Sequence, residues 1–253
     1  MLPRTPSYRL DGKRAVVIGG SRGIGLGCAV ALAEQGASVV IVARSKVQVF
    51  ETVNEMKSEG FSVSGAPMDV SIIDNVKNLM GEYSDIDILV NSAGIARHTP
   101  TVDTTELDFD DVMSVNVRSA YFLAQSAAKQ MISKGTGGSI IQISSQMAHV
   151  GGIDRAVYCG TKHAIEGINK SMAIEFGPHK IRVNSICPTF IRTPFTEPTF
   201  KDPEKVKWIE SKIKVGRVGE VEDIMGAVKF LASDVSAMVT GSSILIDGGW
   251  TAG

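Results

Sequence analysis

The stretch RAVVIGGSRGIG, residues 14–25, decides the fold of this 253-residue chain. Its apolar first part passes directly into a turn with glycines at positions 19, 23 and 25, and a helical pattern follows. Glycine allows a tight turn and lets a phosphate approach the backbone, while the start of a helix offers free N–H groups and a positive dipole end. This order of strand, turn and helix favours binding of a dinucleotide pyrophosphate over a plain tight connection. No Lys-Ser/Thr pair ends the turn, which argues against the phosphate loop of an NTPase.

Short apolar runs alternate with longer helical segments along the chain. The predicted strands are Arg14–Ile18, Ser38–Ala43, Phe61–Ala66, Ile86–Val90, Ser139–Ser144, Ile181–Ile186 and Ser242–Ile246. The predicted helices lie near Ile24–Gln35, Val47–Ser58, Ile72–Glu82, Thr105–Ser133, Val157–Phe176 and Val221–Ala232. Several runs are apolar throughout, as strands covered on both faces are, and right-handed crossovers place helices on both faces of a parallel sheet. We therefore predict an α/β fold with a doubly wound, parallel, seven-stranded sheet in a single domain, residues 1–253.

One long irregular segment is expected at residues 194–215. It contains Pro194, Pro198 and Pro203 and an amphipathic stretch around Trp208. In an open α/β sheet, ligands bind beyond the carboxyl ends of the strands. We predict that this segment is a lid over the substrate there, with a plain surface covering as the alternative.

Composition and charge narrow the function classes. Apolar residues make up 43% and charged residues 21% of the chain, as in ordinary globular proteins. A formal net charge of −1 provides no basic field for nucleic acid or for an anionic membrane. No signal-peptide pattern is present, and no apolar run approaches the roughly 18–20 residues that span a bilayer. Three widely spaced cysteines fit neither a disulfide framework nor a zinc site, and the histidines form no metal-spaced cluster. We expect a cytoplasmic protein with no metal, nucleic-acid or membrane partner.

The end of the second strand bears on which dinucleotide is bound. A carboxylate there would accept a hydrogen bond from the ribose 2′-OH and repel a 2′-phosphate. Ala43 stands where that acid is expected, Arg44 follows it, and Arg22 lies in the nearby turn. Two guanidinium groups suit a 2′-phosphate, which favours NADP(H) over NAD(H). Two solvated arginines, with Arg44 stacked on adenine, are the alternative.

Tyr158 and Lys162 stand four residues apart in a helical stretch and so share one helix face. A phenol is a weak acid–base catalyst at neutral pH, and a neighbouring ammonium favours its ionised form. Such a pair is suited to general acid–base catalysis. A Tyr and a Lys four residues apart are common in proteins, so this spacing indicates a catalytic pair only together with the residues around it.

Those residues give the chain a clear resemblance to the short-chain dehydrogenases/reductases of the compact, roughly 250-residue type. The matching motifs are the glycine turn, Asp69-Val70, Asn91-Ser92-Ala93-Gly94, Asn116, Ser145 thirteen residues before Tyr158, Lys162, and Asp247-Gly248-Gly249. The resemblance covers nearly the whole chain and implies a Rossmann-type sheet. It also implies direct hydride transfer between a nicotinamide cofactor and the carbon of an alcohol or ketone.

The resemblance assigns roles to individual residues. Tyr158 would exchange the proton with the substrate oxygen, and Ser145 would hydrogen-bond that oxygen. Lys162 would hold the nicotinamide ribose and assist ionisation of Tyr158, and Asn116 would hold a water that links Lys162 to a proton relay. The implied cofactor-binding residues, Tyr158 and Lys162 included, are Gly19, Ser21, Arg22, Gly23, Ile24, Gly25, Arg44, Asp69, Val70, Asn91, Ala93, Gly94, Pro188, Ile191 and Thr193.

Three positions depart from the family pattern. Ile18 replaces the threonine usual before the first glycine, and Ser92 replaces the second asparagine of Asn-Asn-Ala-Gly. Thr189 stands where a glycine usually follows the proline beside the nicotinamide. We expect the cofactor to bind, with a slightly different wall near the reacting carbon.

Substrate contacts are predicted from position alone. The candidates are Met147, His149, Phe190, Phe195 and Trp208, and ordinary packing is the alternative for each. The helices around Asn116 and Tyr158 carry many small and apolar residues, including Ala120, Ala124, Ala127, Ala128, Ala164, Gly167 and Met172, which suit packing between subunits or onto the sheet. The resemblance implies a homotetramer, with a dimer as the alternative.

Together these observations predict an NADP(H)-preferring oxidoreductase that interconverts a small-molecule ketone or aldehyde with an alcohol, with Tyr158 as general acid/base. An NAD(H)-dependent alcohol or sugar dehydrogenase of the same family is the first alternative. A nicotinamide-binding regulator without chemistry is another, although such proteins typically lose the tyrosine or lysine. Enoyl reductases tend to place the lysine further from the tyrosine, so the four-residue spacing argues against that activity.

Overall fold

Seven parallel strands form one sheet in the computed structural model, which describes residues 2–253. They are β1 (Arg14–Ile18), β2 (Ser38–Ala43), β3 (Val63–Pro67), β4 (Ile88–Asn91), β5 (Gly138–Ile143), β6 (Ile181–Pro188) and β7 (Ser243–Ile246). Their spatial order is β3-β2-β1-β4-β5-β6-β7. The order reverses between β1 and β4, so the predicted doubly wound sheet is confirmed and its switch point lies beside the glycine turn.

Nine α-helices connect the strands within residues 2–253. They are α1 (Gly23–Glu34), α2 (Lys46–Ser58), α3 (Ile73–Glu82), α4 (Glu106–Met113), α5 (Ser119–Lys134), α6 (Ala156–Phe176), α7 (Glu197–Phe200), α8 (Pro203–Lys212) and α9 (Glu222–Ala232). None of the helices in this part of the chain combines the length and the apolar composition that crossing a membrane requires.

Two apolar layers cover the two faces of the sheet, because alternate residues of a strand point to opposite faces. Val17 of β1 packs in a cluster with Leu32 of α1, and α2 and α9 contribute to the same cluster. Val16 packs on the other face with Leu123 of α5, in a cluster that α3 and α6 also enter. All four side chains are fully buried, and each contributes about 1.5–3 kcal/mol to folding. The core therefore fixes the strand ends where the site lies.

The single helix predicted over 105–133 is interrupted in the structure. A π-helical turn, Ser114–Arg118, joins α4 to α5, and it contains the buried Asn116. A π turn inserts one residue into the helical repeat and is frequent at functional sites. The apolar period of the sequence continues through it, which is why one helix was predicted.

The prediction that residues 194–215 are irregular is wrong. They contain the short helix α7 and the ten-residue helix α8. Asp202 caps α8 by accepting hydrogen bonds from the backbone N–H groups of Glu204 (3.1 Å) and Lys205 (3.3 Å), and Pro203 suits the first helical position. Ile209 then buries the inner face of α8. Two of the three prolines of this segment, Pro198 and Pro203, thus stand in the first turn of a helix.

The small residues of α5 pack on the sheet of their own chain. Ala120, Ala124, Ala127 and Ala128 are buried in one subunit, as is Met172 of α6. Of the two uses that the sequence allowed for these residues, packing onto the sheet is the one observed. Gly167 is exposed.

Candidate active site

One open cleft of ≈ 750 Å³ lies beyond the carboxyl ends of the strands at the switch point. Most of the predicted site residues line it: Gly19, Ser21, Arg22, Gly23, Ile24, Arg44, Asp69, Val70, Ala93, Gly94, Ser145, Met147, Tyr158, Lys162, Pro188, Phe190, Ile191, Thr193 and Phe195. Gly25, Asn91 and Asn116 are absent from the lining. His149 and Trp208 do not line it either.

The glycine turn brings the backbone of β1 close to α1 and to the loop after β4. Gly19 has φ +73°, and a Cβ there would lie 3.0 Å from the carbonyl carbon of Ser92. A Cβ on Gly25 would lie 2.1 Å from the carbonyl oxygen of Gly19. Among residues 2–253 no side chain caps the first turn of α1, which follows Arg22, so the N–H groups of that turn have no side-chain partner there. The turn thus fits an anionic phosphate at a helix N-terminus.

Two arginines stand at the adenosine end of the cleft without a carboxylate partner. Arg22 and Arg44 are exposed, and no carboxylate of residues 2–253 lies within 4.0 Å of either guanidinium. Burial opposes ionisation of Asp69, but hydrogen bonds from the amide and hydroxyl of Ser71, with the charge of Arg44, hold its pKa below the ordinary value. Asp69 therefore stays an acceptor at neutral pH, and the two free cations suit a phosphate.

Ser145, Tyr158 and Lys162 meet at the centre of the cleft. Tyr158 and Lys162 project from α6, and the Lys162 ammonium lies 5.5 Å from the centroid of the Tyr158 ring. Lys162 Nζ donates a hydrogen bond to the carbonyl of Ile143 at the end of β5 (2.9 Å). Ser145 follows that strand, and its hydroxyl donates to Gln146 Oε1 (2.9 Å) and accepts from the Met147 amide (3.1 Å). A hydroxyl, a phenol and an ammonium in one cleft can exchange a proton with a bound oxygen.

Asn116 lies behind this group and ties three elements together. Its Oδ1 accepts from the Ile95 amide (2.9 Å), and its Nδ2 donates to the Ile95 carbonyl (2.9 Å) and to Thr161 Oγ1 of α6 (3.2 Å). A Cβ built on Gly94 would lie 3.5 Å from Asn116 Oδ1 and 3.9 Å from Lys162 Nζ. The π turn therefore holds the loop after β4 against α6.

Asn91 plays a comparable part under the glycine turn. Its Nδ2 donates to Gln142 Oε1 (2.8 Å), and its Oδ1 accepts from the Ala93 amide (3.2 Å). The sequence prediction missed Gln142, which is buried in β5. A polar residue in an otherwise apolar strand was the signal that pointed to it.

An unpaired hydroxyl on the cleft wall also suits a polar ligand. Thr189 Oγ1 is buried and has no hydrogen-bond partner among residues 2–253, and Thr189 lines the cleft. Buried hydroxyls in native proteins are normally paired, so this one is available to a ligand. Together with the glycine cradle, it shows that the residues present fit a nicotinamide dinucleotide.

His149 lies in a separate cluster outside the cleft lining. A ring nitrogen of His149, a carboxylate oxygen of Glu166 and the sulfur of Cys187 lie within 4.8 Å of one another. Ser185 and Ser243 donate hydrogen bonds to the buried Glu166, Ser185 at 2.7 Å. Burial and the Glu166 charge raise the pKa of Cys187 to about 12, so this thiol stays protonated. Hydroxyl and thiol groups donate hydrogen bonds to the Glu166 carboxylate. That the protein binds no metal stays a prediction.

Trp208 lies on α8 and contacts the cleft only through other rings. Its ring centroid lies 5.5 Å from that of Trp250, and Trp250 lies 5.8 Å from Phe190 on the cleft wall. Phe190 also packs with Ile209 and Ile213. Residues 203–213 thus support Phe190 from outside, while Phe195 and Thr196 of the same segment line the cleft themselves.

Comparison with known proteins gives consistent results. A family model described as enoyl-(acyl carrier protein) reductase matches residues 18–251. L-xylulose reductase of Bos taurus is 37% identical over 244 residues, which cover 96% of this chain and 98% of that protein. 2-Dehydro-3-deoxy-D-gluconate 5-dehydrogenase of Escherichia coli (strain K12) is 37% identical over 250 residues, covering 97% of this chain and 98% of that protein. A solved gluconate 5-dehydrogenase from Burkholderia cenocepacia J2315, in complex with NADP and tartrate, is 34% identical with a TM-score of 0.94 and covers 97% of this chain and 98% of its own.

The doubly wound sheet with its glycine turn defines a dinucleotide-binding protein of the Rossmann type. Within that class, the chain belongs to the short-chain dehydrogenase/reductase family of oxidoreductases. The resemblance predicted from the sequence motifs is thereby confirmed.

Proposed function

We propose that this protein is an NADP(H)-preferring oxidoreductase that interconverts a ketone of a small polyhydroxylated molecule with the secondary alcohol. The observation that carries the proposal is the meeting of Ser145, Tyr158 and Lys162 in one cleft with the glycine turn. The named relatives are reductases or dehydrogenases of xylulose, gluconate and 2-dehydro-3-deoxygluconate, which supports a sugar or a sugar acid as substrate.

The proposed chemistry divides between the cofactor and the chain. When bound, the nicotinamide supplies or accepts the hydride. Tyr158 donates a proton to the carbonyl oxygen during reduction and takes it back from the hydroxyl during oxidation. Ser145 donates a hydrogen bond to the same oxygen, where negative charge develops. For this the Ser145 hydroxyl turns away from Gln146, its partner at 2.9 Å.

Lys162 and Asn116 position and assist this group. The ammonium of Lys162, 5.5 Å from the Tyr158 ring centroid, stabilises negative charge on the phenol oxygen and holds the nicotinamide ribose. Its hydrogen bond to Ile143 keeps the long side chain in one rotamer. The side-chain amide of Asn116 is hydrogen-bonded to Ile95 and Thr161. We therefore propose that Asn116 fixes the loop beside Lys162 and that the relay water binds next to Asn116.

The preference for NADP(H) rests on the adenosine end of the cleft. Arg22 and Arg44 are free of carboxylate partners in residues 2–253, and Ala43 leaves no acid to oppose a 2′-phosphate. The solved relative from Burkholderia cenocepacia is a complex with NADP, which supports the same choice. Asp69, Val70, Asn91, Ala93 and Gly94 form the adenine and nicotinamide sides of the proposed site. The carboxamide end is proposed to lie against Pro188, Ile191 and Thr193.

Three further properties belong to the proposal. Residues 194–215 act as a lid, because Phe195 and Thr196 line the cleft while Ile209 anchors α8 below Phe190. The protein is a homotetramer, as exposed apolar side chains on α6 and on β7 suggest. It works in the cytoplasm, where its three buried, unpaired cysteines are stable as thiols.

Replacement of Tyr158 by Phe tests the proposed function. In Tyr158→Phe, kcat for NADPH-dependent ketose reduction should fall by about 10²- to 10⁴-fold, the usual contribution of a general acid. The Kd of NADPH, measured by fluorescence titration, should stay within about twofold, since the ring remains. Tyr8→Phe is the matched control, because Tyr8 is exposed and does not line the cleft.

Two outcomes would count against the proposal. Normal turnover in Tyr158→Phe would remove the assigned mechanism. A wild-type protein that binds NADPH but reduces no ketose would favour the regulator, and one that reduces enoyl thioesters instead would favour the activity in the family model's description.

A further inference from the structure

Arg155 is a cleft residue that none of the proposed steps uses. It directly precedes α6, one turn before Tyr158, and it lines the same cleft. Its Nη1 donates a hydrogen bond to Nε2 of His98 (2.8 Å), and its guanidinium carbon lies 5.4 Å from the centroid of the Phe190 ring. His98 in turn packs edge-on against Tyr158, with 6.1 Å between ring centroids. His98 and Phe190 therefore hold the Arg155 guanidinium close to Tyr158, the proposed proton donor.

The charge of Arg155 is not neutralised within residues 2–253. No carboxylate of this part of the chain lies within 4.0 Å of its guanidinium. Arg97, the other arginine near His98, differs, because it pairs with Asp108 (3.3 Å) and Asp111 (3.8 Å). Of these two neighbouring arginines, only Arg97 therefore has a carboxylate within 4.0 Å among residues 2–253.

His98 does not supply the missing negative charge. Partial burial and the positive charge of Arg155 lower the pKa of His98 to about 4, so its ring is neutral at pH 7 and accepts the hydrogen bond. Burial also lowers the pKa of Arg155, but a guanidinium stays protonated in proteins. The charge of the adjacent Asp154 partly offsets the effect of burial, but it forms no ion pair with Arg155 within 4.0 Å. A partly desolvated cation without a paired carboxylate is unfavourable by itself, and a ligand carboxylate would offset that cost.

We propose that Arg155 binds the carboxylate of the substrate, so that this enzyme acts on hydroxy and keto acids of the sugar series rather than on neutral sugars. The inference rests on the proposed function, since it places this group in the site where Tyr158 meets the substrate oxygen. It decides between the two substrate classes that the proposed function leaves open.

The surroundings of Arg155 suit a carboxylate in particular. The guanidinium carbon lies over the Phe190 ring, and His98 accepts the hydrogen bond from Nη1. No residue among 2–253 accepts a hydrogen bond from the remaining N–H groups, Nε and Nη2. Those two nitrogens lie along one edge of the fork, the arrangement that meets two carboxylate oxygens at once. A neutral hydroxyl would use one of these donors and leave the charge unpaired.

A matched pair of alcohols tests the proposal. Gluconate and sorbitol share a carbon skeleton and differ at C1, where one has a carboxylate and the other a hydroxymethyl group. With NADP⁺, the wild type should show a lower KM for gluconate, and that KM should rise with ionic strength while the KM for sorbitol does not. Arg155→Met should raise the KM for gluconate by about 10- to 100-fold, the value of a hydrogen-bonded charge, and change the KM for sorbitol by less than about threefold.

Two further variants keep the test specific. Arg155→Lys retains the positive charge but not the planar pair of guanidinium donors. Its affinity for gluconate should therefore lie between those of Arg155→Met and the wild type. Arg192→Met is the control, because Arg192 also stacks on a phenylalanine, with 5.0 Å from its Cζ to the Phe200 centroid, but pairs with Glu220 and does not line the cleft. Its kinetics should match the wild type.

Competitive inhibition gives a second readout that does not require turnover of the test compound. L-Tartrate should inhibit the wild type more strongly than L-threitol, the tetrol with hydroxymethyl groups in place of both carboxylates. Arg155→Met should abolish this difference.

The possible failures are distinguishable. If Arg155→Met weakens gluconate and sorbitol equally, or neither, Arg155 does not recognise a carboxylate and the inference is overturned. It is also overturned if the wild type prefers sorbitol. If the wild type oxidises or reduces no sugar, sugar alcohol or sugar acid with either nicotinamide cofactor, the proposed function itself fails.

Discussion

Arg44 shows how one side chain after a strand sets the electrostatics of a cofactor site. It follows Ala43 at the end of β2, and its charge contributes to the low pKa of Asp69 across the cleft. Asp69 is already held by the amide and hydroxyl of Ser71. Because that carboxylate has its own donors, the Arg44 guanidinium remains available to a 2′-phosphate.

Reversing the charge at this position should reverse the cofactor preference. In Arg44→Asp the carboxylate would accept from the ribose 2′-OH and repel a 2′-phosphate. The ratio of kcat/KM for NADPH to that for NADH should fall by at least about tenfold, as expected for loss of one charge-assisted hydrogen bond. Lys46→Asp makes the same charge change two residues later, on the exposed start of α2 outside the cleft, and should alter the ratio little. An unchanged ratio in Arg44→Asp would rule out contact with the phosphate.

The sequence predicted some residues of the site far better than others, for a physical reason. Tyr158 and Lys162 share a helix face, so their spacing alone brings them together. His98 and Arg155 stand 57 positions apart in the sequence and meet only through folding, with a hydrogen bond of 2.8 Å. No local spacing encodes such a contact. Trp208 does not line the cleft for a related reason, since Trp250 lies between it and Phe190 on the cleft wall, and its contact with substrate stays a prediction.

At the scale of the element, the π turn between α4 and α5 determines where Asn116 points. An extra residue in the helical repeat directs its amide at Ile95, in the loop after β4, and at Thr161 of α6. Asn116 is almost fully buried, with 3% of its surface exposed. The apolar period of residues 105–133 predicted a helix correctly at both ends but could not reveal the turn, because a single inserted residue barely changes the pattern.

Removal of this amide should loosen the loop. Asn116→Ala leaves the Ile95 amide and carbonyl without their buried partners, at a cost of about 2–3 kcal/mol. The Tm, followed by circular dichroism without cofactor, should fall by roughly 4–10 °C for a chain of this size. Asn54→Ala, at an exposed position of α2, should change Tm by less than about 1 °C. A Tm near that of the wild type in Asn116→Ala would mean that Asn116 does not hold these elements together.

At the scale of the whole molecule, the alternation of short apolar runs and helical segments determined the sheet. Because the strands are covered on both faces, every predicted run became a strand, and shifts were confined to the ends, as for β3 and β4. The same pattern did not predict the helices within residues 194–215, because they depend on contacts around Phe190, and α8 also on its Asp202 cap, rather than on sheet packing. The oligomeric state could not be predicted from this pattern either. Apolar residues indicate an interface between subunits only when the structure shows that they lie on the surface.

That surface carries exposed apolar side chains on several elements, and β7 and α6 are two of them. Leu245 of β7 is 43% exposed at the free edge of the sheet, and Ile174 near the end of α6 is 79% exposed. A parallel sheet is normally covered, and an edge strand with an exposed leucine invites pairing with another chain. Two independent interfaces are what a tetramer of dihedral symmetry needs, since each one alone closes a dimer.

Disruption of one of these interfaces should therefore convert the tetramer into dimers and not into monomers. Light scattering after size-exclusion chromatography should give a tetramer for the wild type and a dimer for Leu245→Lys, because a charge at the edge strand blocks pairing between sheets. Val47→Lys places the same charge at an exposed position of α2 and should leave the tetramer intact. The double variant Leu245→Lys, Ile174→Lys should be monomeric. A wild-type monomer, or a tetramer that tolerates both lysines, would show that β7 and α6 form no contact between subunits.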